Sequence, residues 1–233
     1  MQPQTLPVTE LFYTIRGEGY WSGTPATFIR LGTCNLACPG CDTEFNNWAW
    51  MSFTELEAFL TRTGCDDVVI TGGEPLVHAR KLSEFLTAIG KNHIYDVQIE
   101  TNGTRPLGPL RTLISPWLWI TVSPKVGAPK ALRPRFQGNV PRPGTEVVLK
   151  NLSEETLEFA SELKFIVGGG MYSPVALWEA IGPKGGAQTP LVYLQPWMDD
   201  QYQDNLATAI QLVKEYPDRW KLSLQMHKAA HIR

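Results

Sequence analysis

The sequence predicts an α/β fold in which a mostly parallel sheet, its strands linked by crossover helices, curls into an open or closed barrel. Three observations predict it. Strand-like runs rich in branched and aromatic residues recur along the chain, helical patterns lie between many of them, and polar or Gly-rich segments follow several of the runs. That is the β, α, β order of a parallel sheet with a site at its carboxyl edge. The 233 residues suffice for one sizeable domain. No repeat, low-complexity tract or Gly/Ser linker divides them, so residues 1–233 read as a single domain.

The strand-like runs are Val8 to Ile15, Thr27 to Leu31, Asp67 to Thr71, Val97 to Thr101, Trp119 to Val122, Glu146 to Leu149, Leu163 to Val167, Leu191 to Gln195 and Lys221 to Gln225. Ser52-Phe53-Thr54-Glu55 has capping-box spacing ahead of Leu56, Phe59 and Leu60, which predicts a helix from Ser52 to Arg62. Leu82, Phe85, Leu86 and Ile89 repeat at helical spacing, and Ser153 with Glu155 in the next turn opens another helix. Further helices are expected at Pro174 to Ile181 and Asn205 to Tyr216. Thr71-Gly72-Gly73-Glu74-Pro75, Glu100-Thr101-Asn102-Gly103, Ser123-Pro124-Lys125 and Gln195-Pro196 each end a predicted strand, where a parallel barrel gathers its chemistry.

Apolar residues make up 43% of the chain and charged ones 19%, a composition that excludes global disorder. The 21 Lys and Arg against 23 Asp and Glu leave a net charge of -2, which argues against nucleic-acid binding through bulk charge. No apolar stretch is long enough to span a membrane, and the opening MQPQTLPVTE lacks the basic and apolar regions of a signal peptide. The expectation is a soluble, cytoplasmic protein.

Three of the four cysteines, Cys34, Cys38 and Cys41, form a C-x3-C-x2-C loop. In a reducing compartment clustered thiols point to metal or redox chemistry. A structural zinc needs a fourth ligand, which the neighbouring residues do not supply, although a remote one would complete it. A redox disulfide between Cys38 and Cys41 leaves Cys34 unexplained. A 4Fe–4S cluster takes one thiolate per iron, so three cysteines hold three irons and leave the fourth open and reactive. Cys65, just before a predicted strand, reads as a small buried hydrophobe.

C-x3-C-x2-C resembles the signature of radical S-adenosylmethionine enzymes, whose open iron is chelated by the cofactor, and Gly72-Gly73-Glu74-Pro75 resembles their GGEP segment. Gly-Gly suits a backbone that passes close to a ligand. Leu11 to Gly19, Phe28-Ile29-Arg30, Cys41-Asp42-Thr43 and Gln225-Met226-His227-Lys228 together resemble the 7-carboxy-7-deazaguanine synthases over nearly the whole chain. The resemblance implies an incomplete TIM-like (βα) barrel with reduced helical content. It implies ring contraction of 6-carboxy-5,6,7,8-tetrahydropterin to 7-carboxy-7-deazaguanine with loss of ammonia, on the route to queuosine and related deazapurines. A 5'-deoxyadenosyl radical takes hydrogen from C6 and returns it, so S-adenosylmethionine is not consumed. Two rivals are a glycyl-radical activating enzyme and a non-catalytic zinc- or cluster-binding module.

The same resemblance assigns residues. Cys34, Cys38 and Cys41 would hold the cluster, and Thr43 a Mg2+ ion that also binds the substrate carboxylate. Gly40, Cys41, Asp42, Gly73, Ser123, Pro124, Lys125, Gln195, Pro196, Trp197 and Met198 would line the S-adenosylmethionine site. Ile15, Arg16 and Gly17 would present mainly backbone to the pterin, with Glu18 as acceptor and Arg30, Thr71, His227 and the terminal Arg233 completing the substrate site. Plainer roles compete: a loop-capping hydroxyl for Thr43, an ion pair for Arg30, a solvated surface position for Lys125. Position 16 is Arg where many members have Gln; its side chain would alter pterin binding only if it faced the pocket.

Between Glu100 and Glu146 the chain has no acidic residue while Arg105, Arg111, Lys125, Lys130, Arg133, Arg135 and Arg142 are basic. That stretch reads as a solvated connector, or as a docking face for an acidic reductant such as flavodoxin. The family suggests a homodimer. Trp117, Trp119, Trp178 and Trp220 read as core, Trp48 and Trp50 as a shield for the cluster loop, and His78, His93 and His231 as ordinary polar residues.

Overall fold

The computed structural model describes residues 4–38, 41, 43–125, 128–129, 151–168, 173–182 and 189–232. The chain opens with a hairpin: β1 (Thr5–Ile15) pairs antiparallel with β2 (Pro25–Leu31), Phe12 opposite Phe28. Short strands β3 (Leu36–Ala37) and β4 (Ala49–Ser52) follow, then α1 (Phe53–Thr63), β5 (Asp67–Gly72), α2 (Ala79–Ile89), β6 (Asp96–Thr101), β7 (Leu118–Val122) and β8 (Ala128–Pro129). The second half contributes α3 (Glu154–Glu158), β9 (Glu162–Val167), α4 (Pro174–Ile181), β10 (Leu191–Pro196), α5 (Tyr202–Glu215), β11 (Trp220–Leu222) and α6 (Met226–Ala229).

The main sheet runs β11-β10-β9-β7-β6-β5-β2-β1-β4, while β3 and β8 pair separately. Every pairing from β2 to β11 is parallel, and β1 is antiparallel to both neighbours. The edges β4 and β11 do not pair with each other, so the barrel is incomplete, as expected. A 3-10 turn at Gly108–Leu113 replaces a full helix between β6 and β7. Among the described residues no helix is long and apolar enough to cross a membrane.

Period-2 alternation decides what lies inside the barrel. Val68 and Ile70 of β5, Val97 and Ile99 of β6, Leu118 and Ile120 of β7, and Leu163 and Phe165 of β9 all join the hydrophobic cluster with Leu56, Leu60, Leu82 and Phe85 of the covering helices. The alternate residues, among them Thr71, Gln98, Glu100, Thr121 and Lys164, face a cavity. The oily layer is therefore the shell between sheet and helices, and the barrel's interior mixes these polar side chains with apolar ones such as Phe12, Phe28 and Ile166.

Some boundaries differ from expectation. The first connection is a hairpin, not a crossover, because residues 16–24 are too few to carry a helix back across the sheet. β11 stops at Leu222, where the expected strand ran on to Gln225, and the chain turns into α6. Helix α5 starts at Tyr202 and ends at Glu215, where Tyr216 leaves the helical conformation ahead of Pro217. Trp119 is not core: it faces inward and stacks on Tyr20 at 5.3 Å. Trp50 is 58% exposed on the edge strand and packs edge-on against Trp48 at 5.1 Å. The expected strand Glu146 to Leu149 lies outside the described residues.

The capping box at Ser52 is formed: Ser52 Oγ accepts from Glu55 N–H at 3.2 Å and Glu55 Oε2 accepts from Ser52 N–H at 2.7 Å. Ser52→Ala is expected to lower the Tm by about 2–4 °C, read by calorimetry, since a lost cap weakens the whole of α1.

Candidate active site

The cavity, about 590 Å3, fills the barrel and opens at the carboxyl ends of its strands. Cys34, Cys38 and Cys41 line this upper end, on the loop that follows β2. Gly73 N–H donates to Leu31 O at 3.0 Å and Glu74 N–H to Thr33 O at 2.9 Å, which clasps the segment after β5 against the loop. A Cβ at Gly73 would run into the Thr33 carbonyl, so a close approach of the chain to itself also requires glycine here. Glu74 is fully buried and accepts from Thr101 Oγ1 at 2.6 Å, Asn102 N–H at 2.7 Å and Leu76 N–H at 2.9 Å. Burial raises its pKa, and the bonds from Thr101 and Asn102 tie the end of β5 to the end of β6.

Burial and the nearby Cys34 and Cys41 push the Cys38 thiol up to about 11 against the pull of Lys125. Three thiols crowded on one wall suit iron ions, which cancel such repulsion and take soft sulfur ligands. Among the described residues no three His, Cys, Asp or Glu side chains are drawn together as a single ion would need.

The opposite end is closed by the hairpin turn, residues 16–24. Arg16 pairs with Asp67, the first residue of β5, and Tyr20 N–H donates to Glu162, the first residue of β9, at 3.0 Å. Gly19 N–H donates to Ser223 Oγ at 2.9 Å and Met226 N–H to Gly17 O at 2.9 Å. A Cβ at Gly17 would enter the His227 ring, so the absence of a side chain lets α6 press onto the turn.

Arg16 is 4% exposed and its side chain stays at this lower end. Its Nε donates to Thr24 Oγ1 at 2.9 Å, the guanidinium covers Trp21 at 5.3 Å, and Nη1 reaches Gln98 Oε1 at 3.4 Å. It is a strut for the turn that neutralises Asp67. Its backbone N–H is taken by Thr24 O at 2.8 Å.

Glu18 points into the barrel, bonded to Lys164 and to Gln225 Nε2 at 2.8 Å. Burial alone would raise the Glu18 pKa, but Lys164 outweighs it and holds the carboxyl well below the usual range. Burial likewise works against the charge on Lys164, and Glu18 and Glu100, the latter 3.9 Å away, raise its pKa above the ordinary value. Lys125 donates to Ser123 Oγ at 2.8 Å; burial and the like charge of Lys164 lower its pKa. Thr71 Oγ1 donates to Glu100 at 3.0 Å. Arg30 lies 3.4 Å from Glu10, 3.5 Å from Thr43 Oγ1 and over the Phe12 ring at 5.4 Å, so its ion pair and a position beside Thr43 coexist.

Ile15, Arg16, Gly17, Glu18, Arg30, Thr43, Thr71, Gly73, Ser123, Lys125, Gln195, Pro196, Trp197, Met198 and His227 all line this cavity with the three cysteines. Gly40, Asp42 and Arg233 lie outside the described residues, as do Lys130, Arg133, Arg135 and Arg142. Pro124 follows the cavity-lining Ser123 without lining the cavity itself. Sequence reasoning missed Lys164, Gln98 and Thr121, and marked Glu100 and Gln225 only as members of their motifs without a role; all five line the cavity. The signal for Lys164 was present: a lysine between apolar neighbours in a strand covered on both faces has nowhere to go but a polar interior.

Residues 28–168 match the family model described as the Radical SAM superfamily. The chain is 32% identical to a protein named 7-carboxy-7-deazaguanine synthase from Escherichia coli (strain K12), covering 97% of this chain and 98% of that one. It is 31% identical to one of the same name from Bacteroides thetaiotaomicron, again over 97% and 98%. A crystal structure of QueE from Escherichia coli superposes with a TM-score of 0.69 at 29% identity, covering 96% of this chain and 95% of that one.

Proposed function

The chain belongs to the 7-carboxy-7-deazaguanine synthases of the radical SAM superfamily, and from that membership we propose roles for the residues of its cavity. It is a carbon–nitrogen lyase of deazapurine biosynthesis that contracts 6-carboxy-5,6,7,8-tetrahydropterin to 7-carboxy-7-deazaguanine with release of ammonia. Cys34, Cys38 and Cys41 hold the 4Fe–4S cluster, and Gly40, Asp42, Gly73, Ser123, Pro124, Lys125 and Gln195 to Met198 hold S-adenosylmethionine. When bound, these two groups supply one-electron chemistry that abstracts hydrogen. The observation that carries the assignment is a single cavity with three thiols on its upper wall and a buried, ionised carboxylate at its closed end.

The protein's own part is position, charge and exclusion of water. Glu18, kept ionised by Lys164, accepts the N–H edge of the pterin, and Gln225 fixes the second carboxylate oxygen. Thr43 ligates Mg2+, and with Arg30 beside it this end receives the substrate carboxylate. His227 and Thr71 flank the ring, Ile15 and Gly17 offer backbone, Arg16 braces the turn, and the terminal Arg233 reaches the substrate with its carboxylate. The turn of residues 16–24 seals the barrel below. This reading takes residues 1–233 as one radical SAM domain, cytoplasmic and homodimeric, reduced by a donor such as flavodoxin.

Anaerobic reconstitution with S-adenosylmethionine, dithionite, magnesium and 6-carboxy-5,6,7,8-tetrahydropterin is expected to give 7-carboxy-7-deazaguanine by mass spectrometry. Cleavage to 5'-deoxyadenosine without that product would overturn the substrate. In the same assay Thr43→Val is expected to raise the magnesium needed for half-maximal turnover by about 10–100-fold. An unchanged requirement would remove Thr43 from the metal site.

A further inference from the structure

The loop that carries the cysteines is entered through a backbone conformation that its own sequence opposes. Thr33, the residue before Cys34, has φ 67, in the left-handed region that a β-branched side chain disfavours. Such a conformation persists only where its surroundings over-determine it. Two of the contacts that do so are backbone bonds any residue would make: Thr33 N–H donates to Phe45 O at 3.0 Å, and its carbonyl accepts from Glu74 N–H at 2.9 Å. The third depends on a side chain. His78 Nε2 lies 2.9 Å from Thr33 Oγ1 and 3.1 Å from the Gly32 carbonyl. A carbonyl can only accept, so Nε2 carries the hydrogen and shares it between the two oxygens. Burial lowers the pKa of His78, so the ring donates this bond without placing a cation behind the thiols.

His78 ends the 3-10 turn Pro75–His78 that follows Gly72-Gly73-Glu74. One short segment thus meets the cysteine loop twice, through the Gly73 and Glu74 backbone at Leu31 and Thr33 and through the His78 ring at Gly32 and Thr33. We propose that His78 is a positioning residue for the iron–sulfur cluster: it clamps Thr33 in the left-handed conformation and thereby sets the direction in which Cys34 leaves the loop. His78 is absent from the residues that line the cavity, so it acts through Thr33.

Glycine adopts positive φ freely, so a glycine at position 33 removes the need for the clamp. The test uses His78→Ala, Thr33→Gly and the double variant. Hydrogen exchange of residues 31–36 is followed in the full-length apoprotein, and the rate of iron loss in air in the reconstituted holoprotein. His78→Ala is expected to raise exchange in that segment and to speed iron loss by roughly ten-fold, with exchange of β5, β6 and β9 unchanged. Thr33→Gly and the double variant are both expected to stay within about two-fold of the wild type. Wild-type exchange and iron retention in His78→Ala would overturn the proposal. So would a double variant as impaired as His78→Ala, because histidine would then matter for something other than the backbone at Thr33.

Discussion

Lys164→Met is expected to cost about 3–5 kcal/mol of stability, to lower the Tm by roughly 6–20 °C, and to reduce kcat/KM at least about a hundred-fold. Methionine keeps the apolar stem of lysine and ends where the ammonium begins, so packing of the stem changes little. What is lost is the ammonium that faces Glu18 and, at 3.9 Å, Glu100 inside the barrel. Glu18 would be left with Gln225 as its side-chain donor in a buried site, and removing one partner of a buried pair is costlier than removing both. Lys164→Met with Glu18→Gln should therefore recover most of the stability and none of the activity. A single variant as stable and active as the wild type would end the assignment.

The pH dependence has a definite sign. Glu18 titrates below its ordinary value of 4.5, so its contribution is present above that pH and fades as the solution is acidified further. Lys164 titrates above its ordinary 10.5, so its contribution is complete below that pH and fades above it. The pair stabilises in full between the two. In Lys164→Met burial dominates Glu18 and raises its pKa, which reverses the slope: the variant should lose less stability than the wild type, or gain some, as pH falls from 7 towards 5. Urea denaturation across that range reads the difference directly.

Cys38→Ala is expected to abolish product, a loss of at least about a thousand-fold, because two thiolates cannot hold a four-iron cluster. Iron per chain and the cluster's visible absorbance should fall together. The apoprotein's Tm should stay close to that of wild-type apoprotein, since Cys38 lies on a loop outside the hydrophobic cluster. Cys65→Ala is the control. Its sulfur sits near Pro25 O and Asp67 O at the closed lower end, and iron content should not change. Retained iron in Cys38→Ala would move the cluster elsewhere.

Much of this protein was legible before any coordinates. C-x3-C-x2-C could be read because its three thiols lie within eight positions on one loop. The capping box at Ser52 and the heptad-like run from Leu82 to Ile89 are equally local, and each became the helix expected of it. The short strands β3, β4 and β8 were not legible, because two to four residues carry too little periodicity to register. His78 looked ordinary because its partners, Gly32 and Thr33, stand 46 and 45 positions away.

Local chemistry was thus written in the residues themselves: the three clustered cysteines, the glycines after β5, the order of strands and helices, and with them the family. The tertiary structure decided which polar residues share the barrel's interior. Glu18 meets Lys164 across 146 positions and Gln225 across 207, and Arg16 pairs with Asp67, 51 positions on, at the floor of the cavity. Alternation along a strand separates its two faces without saying which face is enclosed. That is settled only when the sheet curls and the turn after β1 plugs its lower end, bringing together charges that neither spacing nor composition relates.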